Sequence, residues 1–565
     1  MFDHFIFIFY IYLFIFSTVG YGFFFSKLVK SKLIQLNLGY QGIIGFFFLS
    51  LISTFSSYFV AHNYIHNLII HIIGLTFFIV FFFKFFENKD LKKLLLITFI
   101  LIIGCYVYKN HDDFPYYHLT YSLNLSENSF IIGTGIFSHG FRTFSSLFYY
   151  HSLLYMPGIN FYLFHLGPFL ILVFFNISIL LELRERFKSS SINFSYYFAL
   201  LSFILINVVF YRIGEHGTDR SAQILLILIF LQFFDILYFQ KDRKQILIKI
   251  NLFLIMIFLA SSMKAIYYLY ILLVPILFFK KRLFKYFFLK KNILIISFLS
   301  LSLCLNLITN FFNTGCFLYP SKKTCILETE WSIPKKEVEL MATHYEWWAK
   351  AGGGPGYSSE IKKEDYVKNF VWLDNWIDKH FFNKVSDFLL GLILICIIFY
   401  LTVKINSSKG SKQFIKIDYL AYLVPSIFLI EWFLNHPSMR YGGFILVALP
   451  FLIFTSSQLQ KYFLNREKLY FVTIFFIILT LVIYNGRNFQ RLNKEINFYK
   501  YNLVKSPYFF TQDVVSLRVF KKNNFEIYSP KNQMCWASKT PCSYNPGVRL
   551  KKYLWMKMIY TSDDE

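Results

Sequence analysis

Long apolar stretches alternate with short polar ones along most of the chain, and their length says what they are. A bilayer core of roughly 30 Å takes about 17–25 residues of helix. About fourteen runs suit it: 5–25, 42–61, 64–83, 93–108, 160–181, 194–211, 222–240, 247–262, 265–279, 292–312, 385–403, 418–435, 441–456 and 469–485. The pattern predicts an all-α polytopic membrane protein. It divides the chain into four spans in 1–108, an outer loop in 109–159, six spans in 160–312, a long loop in 313–384, four spans in 385–485 and a small C-terminal region in 486–565.

Charge then orients the spans. "SKLVKSK", "KFFENKDLKK", "LRERFK", "QKDRKQ", "KKRLFKYFFLKK", "KINSSKGSKQFIK" and "KYFLNREK" occupy every second connection. Basic loops stay on the cytoplasmic side. The others, "NHDDFPYYHL", "YRIGEHGTDRSAQ", "SSMK", 313–384, "NHPSMRYGG" and the tail, therefore face outward, and both termini are expected there. The opening "MFDHFIFIFY" has no basic leader, and the run it begins is long enough to span, so no cleavable signal is expected. The implied setting is a bacterial inner membrane, with the lipid bilayer as first partner.

Composition sharpens this in two ways. With mean hydropathy +0.49, 56% hydrophobic and 16% charged residues over 565 positions, a soluble domain cannot hide the apolar surface. The net charge of +25 suits nucleic acid in principle, but its basic residues are dispersed among short inner loops, so no nucleic-acid partner is expected. Phe 74 and Tyr 41 fit the codon usage of an AT-rich genome, so single Phe residues carry little information. Cys316 with Cys325, and Cys535 with Cys542, fall on the oxidising side at spacings compatible with short disulfide loops. Zinc held by those four is the alternative, with no compact Cys/His cluster behind it. Cys105, Cys304 and Cys396 lie inside apolar runs and read as buried thiols.

The candidate chemistry gathers on the outer side. Asp112 and Asp113 follow the fourth run, where acids at a helix C-terminus oppose its dipole. One of the two is the expected catalytic base, and either could hold a divalent cation, Mg2+ or Mn2+, as an optional cofactor. His118 closes the same motif. Downstream, "GIFSHGFRTFSSLF" on a helical period puts Phe137, Phe141, Phe144 and Phe148 on one face, with His139, Arg142 and Ser146 opposite. That reads either as an interfacial helix lying on the membrane, with Arg142 aimed at a phosphate, or as a surface helix packed on protein. "YRIGEHGTDRSAQ" crowds Arg212, Glu215, His216, Asp219 and Arg220 into one turn, where a helix would put Glu215 and Asp219 on one face. Lys264 sits alone at the outer rim, and Arg440 precedes Tyr441-Gly442-Gly443, where a ligand could approach the backbone closely. Trp347 and Trp348 before "AGGGPG" read as interface anchors. His62, His66, His71 and His165 read as packed or hydrogen-bonded.

An acidic motif in an outer loop, followed by such a helix, resembles the GT-C superfamily of membrane glycosyltransferases. Asp112 and Asp113 match the position of that superfamily's catalytic carboxylate. The resemblance implies a polyprenyl-phosphate-linked sugar donor and a glycan or lipid acceptor, in cell-envelope polysaccharide or glycolipid assembly. The acidic loop here follows the fourth span rather than the first, so three additional N-terminal spans are implied. "DDFPYYHL", "HGFRTFSSLF", "GCFLYPSKKTC" and "CWASKTPC" also resemble an uncharacterised family of bacterial multi-pass membrane proteins, which supplies no activity. The alternatives are a polysaccharide polymerase or ligase working through outer arginines and histidines, a lipid-linked sugar transporter or flippase, and a scaffold without catalysis.

Overall fold

The structure is a computed structural model that describes residues 2–561 apart from 190, 216, 327, 353–360, 408–415, 463, 515, 523–524, 532–533 and 546. It is mostly helical, and every one of the fourteen apolar runs falls on helical backbone. Among the described residues, nine helices are long and apolar enough to cross a membrane. Three more, Phe194–Val209, Leu420–Asn435 and Gly443–Leu459, are apolar but shorter. The remaining two runs are broken. Residues 93–108 give the helix Asn88–Leu101 and a 3-10 turn Ile102–Cys105, where Gly104 packs against the Tyr484 hydroxyl. Residues 265–279 divide into a 3-10 stretch Ala265–Leu272 and the helix Leu273–Lys281. Pro275 lies just past that join, and proline withholds a backbone donor from the preceding turn.

Burial separates inner helices from outer ones. Leu38–Ser57, Leu166–Lys188, Gly217–Phe239 and Arg243–Met263 are enclosed on nearly all sides. Such all-round apolar helices suit a bundle centre. Tyr64–Phe85 and Leu373–Asn406 leave most of their apolar surface uncovered, as in the row Leu390, Leu394, Ile397, Leu401 at helical spacing. A row of that kind suits lipid. Small residues bring the first helices together: a side chain at Gly45 would collide with the backbone of Thr18, and one at Gly20 with that of Gly74.

The C-terminal region adds strands that an all-helical reading lacks. Leu517–Lys522 pairs antiparallel with Phe525–Pro530, and Val548–Tyr553 with Met556–Thr561. Met556–Thr561 also pairs in parallel with Ile131–Ile132. The tail is thereby fastened to the loop 109–159, helped by Asn128 donating to Thr540 (2.9 Å) and the Tyr544 hydroxyl to the Tyr116 carbonyl (3.0 Å). Disulfides join Cys316 to Cys325 and Cys535 to Cys542. Cys105 and Cys396 are buried, but Cys304 is exposed on its helix, since its side chain falls on an uncovered face.

The amphipathic segment after the acidic motif differs from the helix expected of it. It is a 3-10 turn at His139–Arg142, an extended link, and a short helix Ser146–Ser152. Phe137, Phe141, Phe144 and Phe148 are all buried in protein, with Phe141 stacked on Tyr121 at 5.1 Å. Gly133 and Gly135 precede it, and the close fit of Gly135 against Asn313 and Arg142 ties the segment down as a loop.

Candidate functional site

Local backbone structure explains why two adjacent aspartates part. After the 3-10 turn Ile102–Cys105 the chain is irregular until Phe114–His118, a widened helical turn with Pro115 at its start. In this bend the Asp113 N–H donates to His111 Nδ1 (3.2 Å). Its carboxylate turns inward and accepts from Arg440 Nη2 (3.0 Å). Asp112 is exposed and turns the other way, into a neighbouring cavity.

Arg440 binds a second carboxylate, donating Nε to Asp219 at 2.8 Å. Asp219 also pairs with Lys264, whose ammonium stands 4.2 Å from the centroid of the Tyr441 ring. The charges alternate along Asp113, Arg440, Asp219 and Lys264, and each comes from a separate stretch of chain. Arg440 is presented by a 3-10 turn, Met439–Tyr441, between two apolar helices. Gly442 closes that turn at φ +96, a conformation that suits glycine. Gly443 lies flat on the Trp432 ring, so packing rather than ligand approach accounts for it.

The network fixes protonation. Burial alone would raise the Asp113 carboxyl, but the His111 imidazole and the Arg440 guanidinium hold it well below the usual carboxylate range. Burial pushes the Lys264 ammonium down, against the pull of Asp219. His118, packed against Gly217, is pushed down to about 4 by burial despite nearby Asp113. At neutral pH the site therefore holds ionised Asp113 beside a neutral His118.

On the far side of the 109–113 bend lies a cavity of about 570 Å³. One wall is the bend itself, with Lys109, Asn110, His111 and Asp112; a second is the turn bearing Tyr211, Arg212 and Glu215. The third is the end of the helix Arg466–Tyr499, with Arg487, Arg491, Lys494 and Glu495. Arg212 Nε donates to Glu215 Oε1 (2.8 Å) and Arg491 Nη1 to Glu495 Oε1 (2.9 Å). Arg491 Nη2 also donates to the Tyr106 carbonyl at 2.6 Å, locking the long helix to the bend.

The residues expected from sequence thus divide. Asp113, Asp219, Lys264 and Arg440 meet, with His118 beside them. Asp112 and Glu215 belong to the cavity, so Glu215 and Asp219 do not share a face; a 3-10 turn, Ile213–Glu215, sets them apart. Arg142 is buried, donating to the Gly135 carbonyl (3.0 Å) and pairing with Glu337 (2.7 Å), so its charge is taken up within the protein rather than offered to a phosphate. Arg220 turns onto the Phe210 ring and the Val209 carbonyl. His139 meets the Tyr116 hydroxyl at 3.0 Å. His216 lies outside the described residues. His62, His71 and His165 hydrogen-bond to Ser152, Ser17 and the Cys105 carbonyl.

Where a divalent cation would lie between Asp113 and Asp219, the Arg440 guanidinium lies instead. Among the described residues no three His, Cys, Asp or Glu side chains come together as a ligand set. Arg487, Arg491 and Lys494 escaped the sequence reading because they follow the last apolar run. One signal was there: Tyr484, Asn488, Arg491 and Glu495 are buried at helical spacing, continuing one face beyond the apolar residues.

Compared with known families, residues 4–447 match a family model described as "Domain of unknown function (DUF8201)". No curated protein and no solved structure matches the chain.

Proposed function

For this chain, which belongs to the DUF8201 family of unknown function, we propose glycosyl transfer from a polyprenyl-phosphate-linked sugar at the outer rim of a bacterial inner membrane. The observation that carries the reading is convergence. The acidic motif, the Asp219 turn, Lys264 and Arg440 meet at one end of an apolar bundle, beside a cavity that Asp112 lines. A polyprenyl tail stays in the bilayer while its head reaches such a rim.

Asp112 is the proton acceptor in this scheme. It takes the proton of the acceptor hydroxyl as that oxygen attacks the anomeric carbon and the bond to the lipid phosphate breaks, inverting the centre. Asp113 is a weak base, held far down beside Arg440, and acts by fixing the bend that carries Asp112. Negative charge gathers on the departing phosphate, so cations within reach of Asp112 favour the reaction.

The test is transfer of a labelled sugar from a polyprenyl-phosphate donor in proteoliposomes. Asp112→Asn with Asp113→Asn should reduce transfer by about 100-fold or more, the usual worth of a positioned base. Transfer at the wild-type rate in a folded double variant would sink the mechanism. A lipid-linked sugar flippase is the second reading. The observation favouring it is a second buried ion network, at the other end of the spans: Arg186 pairs with Glu182 (2.7 Å) and Asp235 (2.9 Å), and Lys249 with Asp235. A flippase moves the donor across the vesicle without forming product.

A further inference from the structure

The cavity beside Asp112 holds more positive charge than its own pairing consumes. Among the described residues it is lined by five basic side chains and three carboxylates. Arg212 closes on Glu215, and Arg491 on Glu495. Among the described residues Lys109, Arg487 and Lys494 form no ion pair, and Arg487 Nη1 donates to the Val208 carbonyl (2.5 Å). Two of these cations are set by aromatic rings: Arg487 stands 3.9 Å over Tyr211, and Lys109 stands 5.4 Å over Tyr499. They come from two walls, the bend and the long helix.

An oxygen-rich anion satisfies the surrounding cations together. The volume, about 570 Å³, suits a small head group.

We propose that this cavity binds a phosphoryl group, as a phosphate monoester or a diphosphate. Lys109, Arg487 and Lys494 supply the charge. A lipid-borne phosphate and a soluble one share this chemistry. The proposal deepens the glycosyl-transfer reading by naming what binds beside Asp112, but binding requires no turnover and is measured separately.

The full-length protein in zwitterionic nanodiscs is titrated with inorganic pyrophosphate at low salt by calorimetry. In a second arm, discs doped with polyprenyl monophosphate or with uncharged polyprenol are compared by native mass spectrometry for lipid retained on the protein. Saturable binding is expected in at least one phosphate arm, with polyprenol not retained. Lys109→Gln with Lys494→Gln, both at exposed positions, should weaken it about 10-fold, and Asp112→Asn should tighten it by removing a like charge. Binding of pyrophosphate alone assigns a soluble ligand; binding of the polyprenyl phosphate alone assigns a lipid. Failure of both probes, or unchanged affinity in a double variant with wild-type circular dichroism, overturns the proposal. Transfer that persists without phosphate binding overturns it and spares the glycosyl-transfer reading. Phosphate binding by a wild-type protein that shows no transfer does the reverse.

Discussion

At the residue scale, two side chains of the ion network make opposite demands on pH and charge. His118 has a folded pKa of about 4, below the ordinary 6.5, because burial outweighs its acidic neighbour. The unfolded chain therefore binds a proton before the folded one does. Stability is unaffected by this group above pH 6.5, falls as pH drops from 6.5 towards 4, and levels off below that. His118→Gln should lessen the slope in that part of the melting-temperature profile, while other histidines, such as His436, pushed down to about 4 by burial, keep the rest. An unchanged slope would mean that His118 protonates freely. Asp219 is the other case, because it separates Arg440 from Lys264. Asp219→Ala leaves two cations facing each other and should cost about 1–3 kcal/mol in thermal unfolding, the full buried-pair penalty being lessened by partial exposure. Asp112, Asp113, Asp219, Lys264 and Arg440 were legible in sequence because a charge in so apolar a chain is conspicuous. Arg142 and Arg220 were equally conspicuous and misled, because their partners, Glu337 and Phe210, are set by folding and have no signature in local sequence.

At the element scale, the helix Arg466–Tyr499 decides what lies beside the acidic motif. Its 34 residues extend about 51 Å at 1.5 Å each, against a membrane core of roughly 30 Å. Hydropathy located its apolar part and stopped at 485, so the basic end that walls the cavity fell into the small C-terminal region. Gly486 stands where the apolar part ends, with nothing near the position a Cβ would occupy. Gly486→Ala should stabilise the protein by about 0.5–1 kcal/mol, since glycine carries an entropic cost in helix interiors. A destabilised variant would place a break at that residue. The long loop makes a different case. Its disulfide closes a separation of nine residues, Cys316 to Cys325, and the Arg142–Glu337 pair joins the helix that follows to the acidic-motif loop. Replacing both cysteines by serine should lower stability by about 2–3 kcal/mol, the loop-closure value for that length, read as a lowered melting temperature. The amphipathic period at Phe137–Phe148 was real in the sequence. It could not say whether the apolar face meets lipid or protein, and protein covers it.

At the scale of the whole molecule, charge is stored at two ends and kept out of the middle. The helix Gly217–Phe239 carries Asp219 in its first turn and Asp235 near its last, about 24 Å apart along the axis. Asp219 joins Arg440 and Lys264; Asp235 joins Arg186 and Lys249. The other connections agree: the loop 109–159, the Asp219 turn, Arg440 and the C-terminal strands all gather at the first end. The alternation of basic and non-basic loops predicts that this first end faces outward, because orientation follows loop charge whatever the packing between helices. It follows that a cysteine introduced at Lys109 or Asp112 and one at Lys188, all exposed positions, should lie in different compartments. In intact cells or sealed vesicles, a membrane-impermeant maleimide should label Lys109→Cys and Asp112→Cys from outside. It should reach Lys188→Cys only after the membrane is opened. The background should be low, since four native cysteines are paired, Cys105 and Cys396 are buried, and Cys304 lies on an apolar helix. Labelling of 109 and 188 from the same side would mean that the basic loops do not mark one face. A lipid-linked donor would then have no single rim at which to meet Asp112, and the phosphate cavity would open to a compartment that the charge pattern reserves for lysine.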